Sequence, residues 1–464
     1  MHSRDPHKSD SEFQKEFDAI LKAPAGRDAV AEFTEFVFPS ANYQDRKFWP
    51  RCSFWGAIFT QGSNFHGARF TQEASFSHAE FTQKAYFNFA EFTQKAYFSE
   101  ATFTKEADFA YAKFMQDTYF FNAKFAQDVD FRSAEFAQAA SFEHAKFSAS
   151  AVFRETQFRG YSRLKHETND KVPGPVFSLA EFSHPEDIVF YKTYLGQALF
   201  HNCDVSKVTF SSAEWRTRKR SGRRMLLEEE VDLENSYASA LKTKEEVDPK
   251  NNSASTLKTG PDSHDERDYG LIAELYQQLK KNYDERKDYW TAGDFHYGEM
   301  EMKRLDSRSP KPWVRWLHQH LGLVACYKYA SSYGESYLRP LLALVIVLGI
   351  FMLLYPLAGL RSGGTAPPAS ATVTQQASPP MLATELSYCH FAEFVRAYPG
   401  AKWIAGPAFF GHSLMTTLAV ASLQKELRYE PFYPWGRALA LVQLVLTSTL
   451  IALFLLALRR QFRR

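Results

Sequence analysis

Phenylalanine recurs along the first half of the chain with a fixed beat. It stands at positions 48, 54, 59, 65, 70, 76, 81, 87 and onward to 158, and after Phe54 the intervals alternate five and six. The unit is therefore eleven residues, plainest in FTQKAYFNFAE (81–91) followed by FTQKAYFSEAT (92–102). A small residue stands two positions before nearly every Phe, as with Ala57, Ala68, Ala79, Ala90 and Ala101. A helix would set two Phe six residues apart about 120° from each other round its axis, so no single stripe would form. In extended backbone, positions i−2 and i share a face, so the small and the large side chain point inward together. The pattern predicts short strands and tight turns wound into repeated coils, with the Phe column as core.

Around this repeat the polarity changes several times. A short amphipathic stretch (Phe13, Phe17, Ile20, Leu21) predicts a partly helical N-terminal cap over 1–47. The repeat domain runs 48–215, with an irregular insertion near 159–197 that contains KHETNDKVPGP. The beat resumes in plain five-residue form at Phe200, Val205, Phe210 and Trp215. Cys52 and Cys203 fall at the small position and are read as buried packing residues. The opposed charge blocks of 216–264, opening with RTRKRSGRR, predict a flexible linker whose basic cluster suits anionic lipid headgroups. Over 265–306 a 3–4 spacing appears (Ile272, Leu275, Tyr276, Leu279, Tyr283, then Tyr289, Ala292, Phe295, Tyr297) and predicts a helical hairpin. Ala292-Gly293 would let its helices approach closely. One hairpin cannot bury its own face, so it must pack on the solenoid, on a membrane-side helix or on a second subunit. His296, Glu299 and Glu301 have metal-ligand types, but on a charged helix they are read as surface groups, and no metal is expected.

The C-terminal part is apolar. Residues 341–358 and 438–458 form runs of 18 and 21 residues, long enough to span a bilayer core of about 30 Å. The polar start MHSRDPHKSD is read as lacking a signal peptide. Lys303, Arg304, Arg308, Lys311, Arg315, Lys328 and Arg339 precede the first run, and Arg459, Arg460, Arg463 and Arg464 follow the second. The positive-inside rule then places both termini in the cytoplasm and 361–435 outside. Between the runs, 406–423 is uncharged yet carries Ser413, Thr416 and Thr417. A third span would break the charge rule, so this segment is expected to be a re-entrant or interfacial helix. Its polar residues are costly against lipid and are candidates for a pore lining, together with Gln443 and Thr447 on the second span. The segment 311–338 carries Trp313, Trp316, Leu317, Leu321 and Val324 on one side and predicts an interfacial amphipathic helix, anchored by Trp313 and Trp316.

Composition narrows the function. Phe is 42 of 464 residues, which the repeat explains. Net charge is only +2, and 51–215 holds 19 acidic against 16 basic residues, so neither a nucleic-acid binder nor an acidic DNA mimic is expected. Four cysteines without a C-x-x-C pair exclude a disulfide scaffold and a zinc ribbon. No phosphate-binding loop, H-E-x-x-H or nucleophile elbow occurs, so no enzyme and no cofactor are expected.

The A-x-F-x-x pattern resembles the pentapeptide-repeat family, in a variant where every second unit carries one extra residue. The resemblance implies a right-handed quadrilateral β-helix of about 22 residues per coil. Residues 413–420 (SLMTTLAV) before the second span, with SYGESYLRP (332–340) before the first, resemble the pore module of the potassium-channel superfamily. The glycines of its T-V-G-Y-G filter have no counterpart in 418–422 (LAVAS). The whole layout resembles bacterial pentapeptide-repeat membrane proteins with an ion-channel-like C-terminus. The fold class expected is thus mixed: β-solenoid, helical hairpin, and a two-span membrane module over 339–464. The function implied is an oligomeric channel-like protein of the bacterial inner membrane, a tetramer by analogy, passing a monovalent cation and regulated through a cytoplasmic solenoid that binds a protein partner. The alternative is a non-conducting scaffold anchored in the lipid bilayer.

Overall fold

The computed structural model describes residues 9–23, 29–159, 175–229, 268–306, 311–358, 360–362, 402–423, 429–431 and 434–463. The chain divides into two compact units, Met1–Asp306 and Ser307–Arg464.

The first unit is a β-solenoid. Among the described residues, two- to four-residue strands build four parallel walls of seven, seven, eight and six strands. In the regular coils a strand pairs with the one 22 residues on, as in Cys52↔Ala74, Phe81↔Phe103 and Ala85↔Ala107, because two eleven-residue units close one coil. The Phe rings fill the interior. Phe87 stacks on Phe109 of the next coil at 5.0 Å and 3°, and meets Phe98 of its own coil edge-on at 5.5 Å and 86°. Both geometries suit the ring quadrupole, and the fully buried alanines leave room for them. The Thr after the Phe forms a rung between coils: Thr82, Thr93 and Thr104 donate to the carbonyls of Phe59, Phe70 and Phe81 at 3.0–3.2 Å.

The solenoid is longer than the Phe beat indicates. Its first strand is Val30–Glu32, paired with Arg51–Ser53, so a coil occupies part of the expected cap. Here Phe33, Phe38, Tyr43 and Phe48 are spaced by five, and the offset between coils falls to 21 (Val30↔Arg51). The insertion is shorter than expected. Ala140 pairs with Pro175, an offset of 35 in place of 22, so 13 residues are added and the wall then continues. Phe177 stacks on Phe142 at 5.0 Å. The last coil is built on plain five-residue units, with an offset of 20 (Val189↔Thr209).

Both ends of the solenoid are covered, as exposed strand edges require. Helix α1 (Asp10–Lys22), capped by Ser9, lays Phe17 on Phe33 at 4.4 Å and on Tyr43 at 4.7 Å. At the other end stand helices α2 (Tyr269–Glu285) and α3 (Tyr289–Leu305), each opened by an Asp cap that accepts from the third amide on. The linker expected over 216–264 is structured in its first fourteen residues. Residues Arg216–Thr217 and Arg224–Met225 form an antiparallel hairpin, followed by a 3-10 turn at Leu227–Glu229. The rest of the expected linker, 230–264, lies outside the described residues.

The second unit is helical: α4 (Pro312–Leu321), α5 (Leu323–Ser331), α6 (Leu338–Ala358), α7 (Lys402–Ala421) and α8 (Pro434–Arg463). Two of these, α6 and α8, are long and apolar enough to cross a membrane. They enclose the expected runs 341–358 and 438–458. The single interfacial helix expected over 311–338 is instead two helices broken at Gly322, which is extended (ψ 163°). A Cβ there would stand 2.4 Å from the His318 carbonyl oxygen, so the break needs glycine. The expected outside linker 359–380 and Cys389 fall largely or wholly outside the described residues.

Candidate functional site

The five residues expected to line a pore are brought together, but inside one chain. Ser413, Thr416 and Thr417 on α7 and Gln443 and Thr447 on α8 are all buried. Gln443 is the hub. Its Oε1 accepts from Tyr355 of α6 at 2.5 Å, and its Nε2 donates to the Thr417 carbonyl at 2.8 Å. The Ser413 hydroxyl donates to the Met352 carbonyl at 2.5 Å. The Thr417 and Thr447 hydroxyls donate to the carbonyls of Ser413 and Gln443 one turn back, at 2.8 and 2.9 Å. An unpaired polar group in such apolar surroundings is expensive. The arrangement answers this by bonding α6, α7 and α8 to one another beside Phe351 and Val420. Groups used in this way present no polar atom to water along an axis. The outward sides of α6 (Val345, Ile346, Leu353) and α8 (Leu441, Val445, Leu456) are exposed and apolar.

The segment 332–340 ties the two long helices together. Ser332, Tyr333 and Gly334 all take positive φ, and the buried Tyr333 ring meets Tyr327 at 5.7 Å. The turn carries Glu335, whose side chain is 1% exposed, to Arg460 of α8 at 3.1 Å. The start of α6 and the end of α8 therefore lie together. Trp313 and Trp316 stand on α4, both exposed.

In the first unit, polar chemistry gathers where α2 and α3 close the last coil. Asn282 Nδ2 donates to the carbonyls of Val205 (3.0 Å) and Val208 (2.7 Å), and Arg286 donates to those of Val208 and Phe210 (both 3.1 Å). Gln278 Oε1 accepts from the Val205 amide at 2.9 Å, and Trp215 donates to the Tyr283 hydroxyl at 2.9 Å. Of the three expected packing partners of the helical pair, the solenoid is one it uses. Close approach of α2 and α3 rests on Gly298, where a Cβ would stand 2.5 Å from the Tyr276 ring. The basic hairpin is held by one nearby and two distant partners: Arg218 pairs with Glu229, Arg224 with Asp294 at 3.0 Å, and Arg223 lies 4.4 Å over the Tyr297 ring.

Three buried carboxylates behave differently. Glu228 is fully buried, and burial raises its pKa to about 7 against the pull of the Phe200 amide that it accepts at 2.6 Å. Glu299 is opposed by burial as well, but the hydrogen bonds of His296 and Lys303 and the charge of Lys280 bring it down to about 2. Glu301 is paired with Arg304 at 2.8 Å. His296, Glu299 and Glu301 are therefore not surface groups: Glu299 is buried and pairs with Lys280 of α2 at 3.3 Å, and Glu301 is buried beside Arg304 of its own helix. Among the described residues no cluster of three or more His, Cys, Asp or Glu is placed to hold a metal. Cys52 and Cys203 are buried in the solenoid, and burial pushes both thiols up to about 12.

The outer walls carry a feature the Phe beat hides. Phe89 and Tyr111 lie off the beat and 22 residues apart, so they fall on one corner of adjacent coils. Both are exposed at positive φ, and their rings stack at 4.8 Å and 5°. Tyr97 and Tyr119 stack likewise on a neighbouring wall at 5.1 Å. The coil-to-coil spacing is the signal that reveals such pairs.

The family of pentapeptide repeats (9 copies) matches residues 76–124 and 120–168. The chain thus carries a pentapeptide-repeat β-solenoid, together with two helices able to cross a membrane. No curated protein matches the chain.

Proposed function

We propose that this protein is a membrane-anchored interaction scaffold. Helices α6 and α8 cross the bilayer as a pair, and the solenoid offers its walls to a cytoplasmic protein partner. The observation that supports this reading is the polar seam. Every hydroxyl and amide that a pore would use as lining is buried within one chain, and those of Ser413, Thr417, Gln443 and Thr447 bond α6, α7 and α8 or their own turns. The exposed pair Phe89–Tyr111, with the half-buried pair Tyr97–Tyr119, is where a partner would dock, since exposed aromatics anchor interfaces. The reading includes a bacterial inner membrane with both termini cytoplasmic, on the strength of the cations beside the start of α6 and the end of α8. It also includes the right-handed winding that the repeat resemblance implies, and it assigns no catalytic role.

A second reading is an oligomeric channel, in which α7 re-enters the membrane and a ring of subunits passes a monovalent cation. What favours it is that α7 touches both long helices. The two readings separate when residues 339–464 are exchanged for an unrelated two-span anchor in the chromosomal gene. The scaffold reading expects the exchanged protein to restore the phenotype of a deletion strain. Failure to restore it, with the solenoid folded and at the membrane, would sink the scaffold reading.

A further inference from the structure

Helix α4 buries none of its residues, yet it is two-sided, with His320 the one polar residue on its apolar side, stacked on Trp316 at 5.0 Å. At about 100° per residue, Trp313, Trp316, Leu317 and Leu321 fall on one side, and Lys311, Arg315, His318 and Gln319 on the other. The apolar side is open: Trp313 is 65% exposed, Leu321 62%, and Leu323 just beyond it 90%. Among the described residues nothing covers this face, and the charge around it identifies what would. Between 311 and 340 the cations are Lys311, Arg315, Lys328 and Arg339, and the only carboxylate is Glu335. That carboxylate is engaged by Arg460. Helix α5 touches α6 and α8, so Arg459 and Arg460 stand at the same end as these cations. A second copy of the helix would bring like charges together, which is repulsive. A surface that is apolar below and anionic above answers both faces at once.

We propose that α4 lies in the interfacial layer of the bilayer and selects anionic phospholipids, with Trp313, Trp316, Leu317 and Leu321 among the acyl chains and Lys311 and Arg315 against the headgroup phosphates. This rests on the reading of α6 and α8 as spans and adds the lipid class that the anchor requires. Lys311 and Arg315 are four residues apart, so both reach headgroups from one ridge of the helix.

The test is amide hydrogen exchange of the full-length protein in two nanodiscs, one of phosphatidylcholine and one of an equal mixture with phosphatidylglycerol. Each cation near an anionic surface is worth about fivefold in binding, so the α4 amides should exchange about 25-fold more slowly in the mixed bilayer. Lys311→Gln with Arg315→Gln should abolish that difference and leave α6 and α8 unchanged, whereas the charge-retaining Lys311→Arg with Arg315→Lys should keep it. Equal α4 exchange in both bilayers would overturn the inference. If slow in both, the helix binds any membrane; if fast in both, it binds none. Fast exchange of α6 and α8 in both nanodiscs would overturn the span reading itself, and so separates the two failures.

Discussion

Asn282→Ala tests how the solenoid is closed. The Asn282 amide donates to two carbonyls of the last coil, Val205 at 3.0 Å and Val208 at 2.7 Å, and its side chain is buried. Alanine leaves those carbonyls short of a donor. A buried polar group that loses its partner costs about 1–3 kcal/mol, and Arg286 still serves Val208, so only the Val205 carbonyl is orphaned and the loss is about 1–3 kcal/mol. In a repeat protein each coil contacts only its neighbours, so this loss should stay local. At about 1.4 kcal/mol per factor of ten, exchange of the amides in 188–215 should quicken by about 5- to 140-fold. Amides in 85–125, several coils away, should be unchanged. Hydrogen exchange read by mass spectrometry resolves both segments in one experiment. Equal acceleration along the solenoid, or none in 188–215, would refute the assignment of α2 and α3 as its cap.

Further expectations follow from other contacts. Glu228 has a folded pKa of about 7 against its usual 4.5, so it binds its proton more tightly when folded. The stability this contributes is complete below about pH 4.5 and is lost as pH rises to about 7, about 3 kcal/mol in all. Urea melts of the cap should show that slope in wild type and lack it in Glu228→Gln. Gly298→Ala forces a methyl group into the buried Tyr276 ring and should cost about 1–3 kcal/mol, read as a lower melting temperature. Gln443→Leu removes the link from Tyr355 to the Thr417 carbonyl and should destabilise the α6–α7–α8 trio by about 1 kcal/mol in detergent melts. The double variant with Tyr355→Phe should cost less than the sum of the two single changes.

The solenoid core was legible because a single residue type repeats at a single inward position, from Phe54 to Phe158. Its first coil was not, because Tyr43 replaces Phe and the interval there is a constant five. The return of the wall at Pro175 was hidden by 13 inserted residues and by an eight-residue gap from Phe182 to Phe190. The hairpin at 216–225 read as a solvated charge run because the partners of Arg218, Arg223 and Arg224 include Asp294 and Tyr297, some 70 residues away. The polar positions of α7 and α8 stand out in the sequence as a set. Their destination was not legible, because a threonine or glutamine in an apolar helix is satisfied equally well by water or by the carbonyl of a neighbouring helix. Only the packing decides, and here it supplies carbonyls at Met352, Ser413, Thr417 and Gln443.

The scaffold claim is tested most directly by current. Full-length protein, with its oligomeric state first determined by native mass, would be reconstituted in planar bilayers beside Thr416→Ala and Thr417→Ala. With both hydroxyls committed to the interior of one chain, the account predicts no unitary currents under potassium or sodium gradients for any of the three. A cation current in the wild type whose conductance or selectivity changes with either substitution would contradict it.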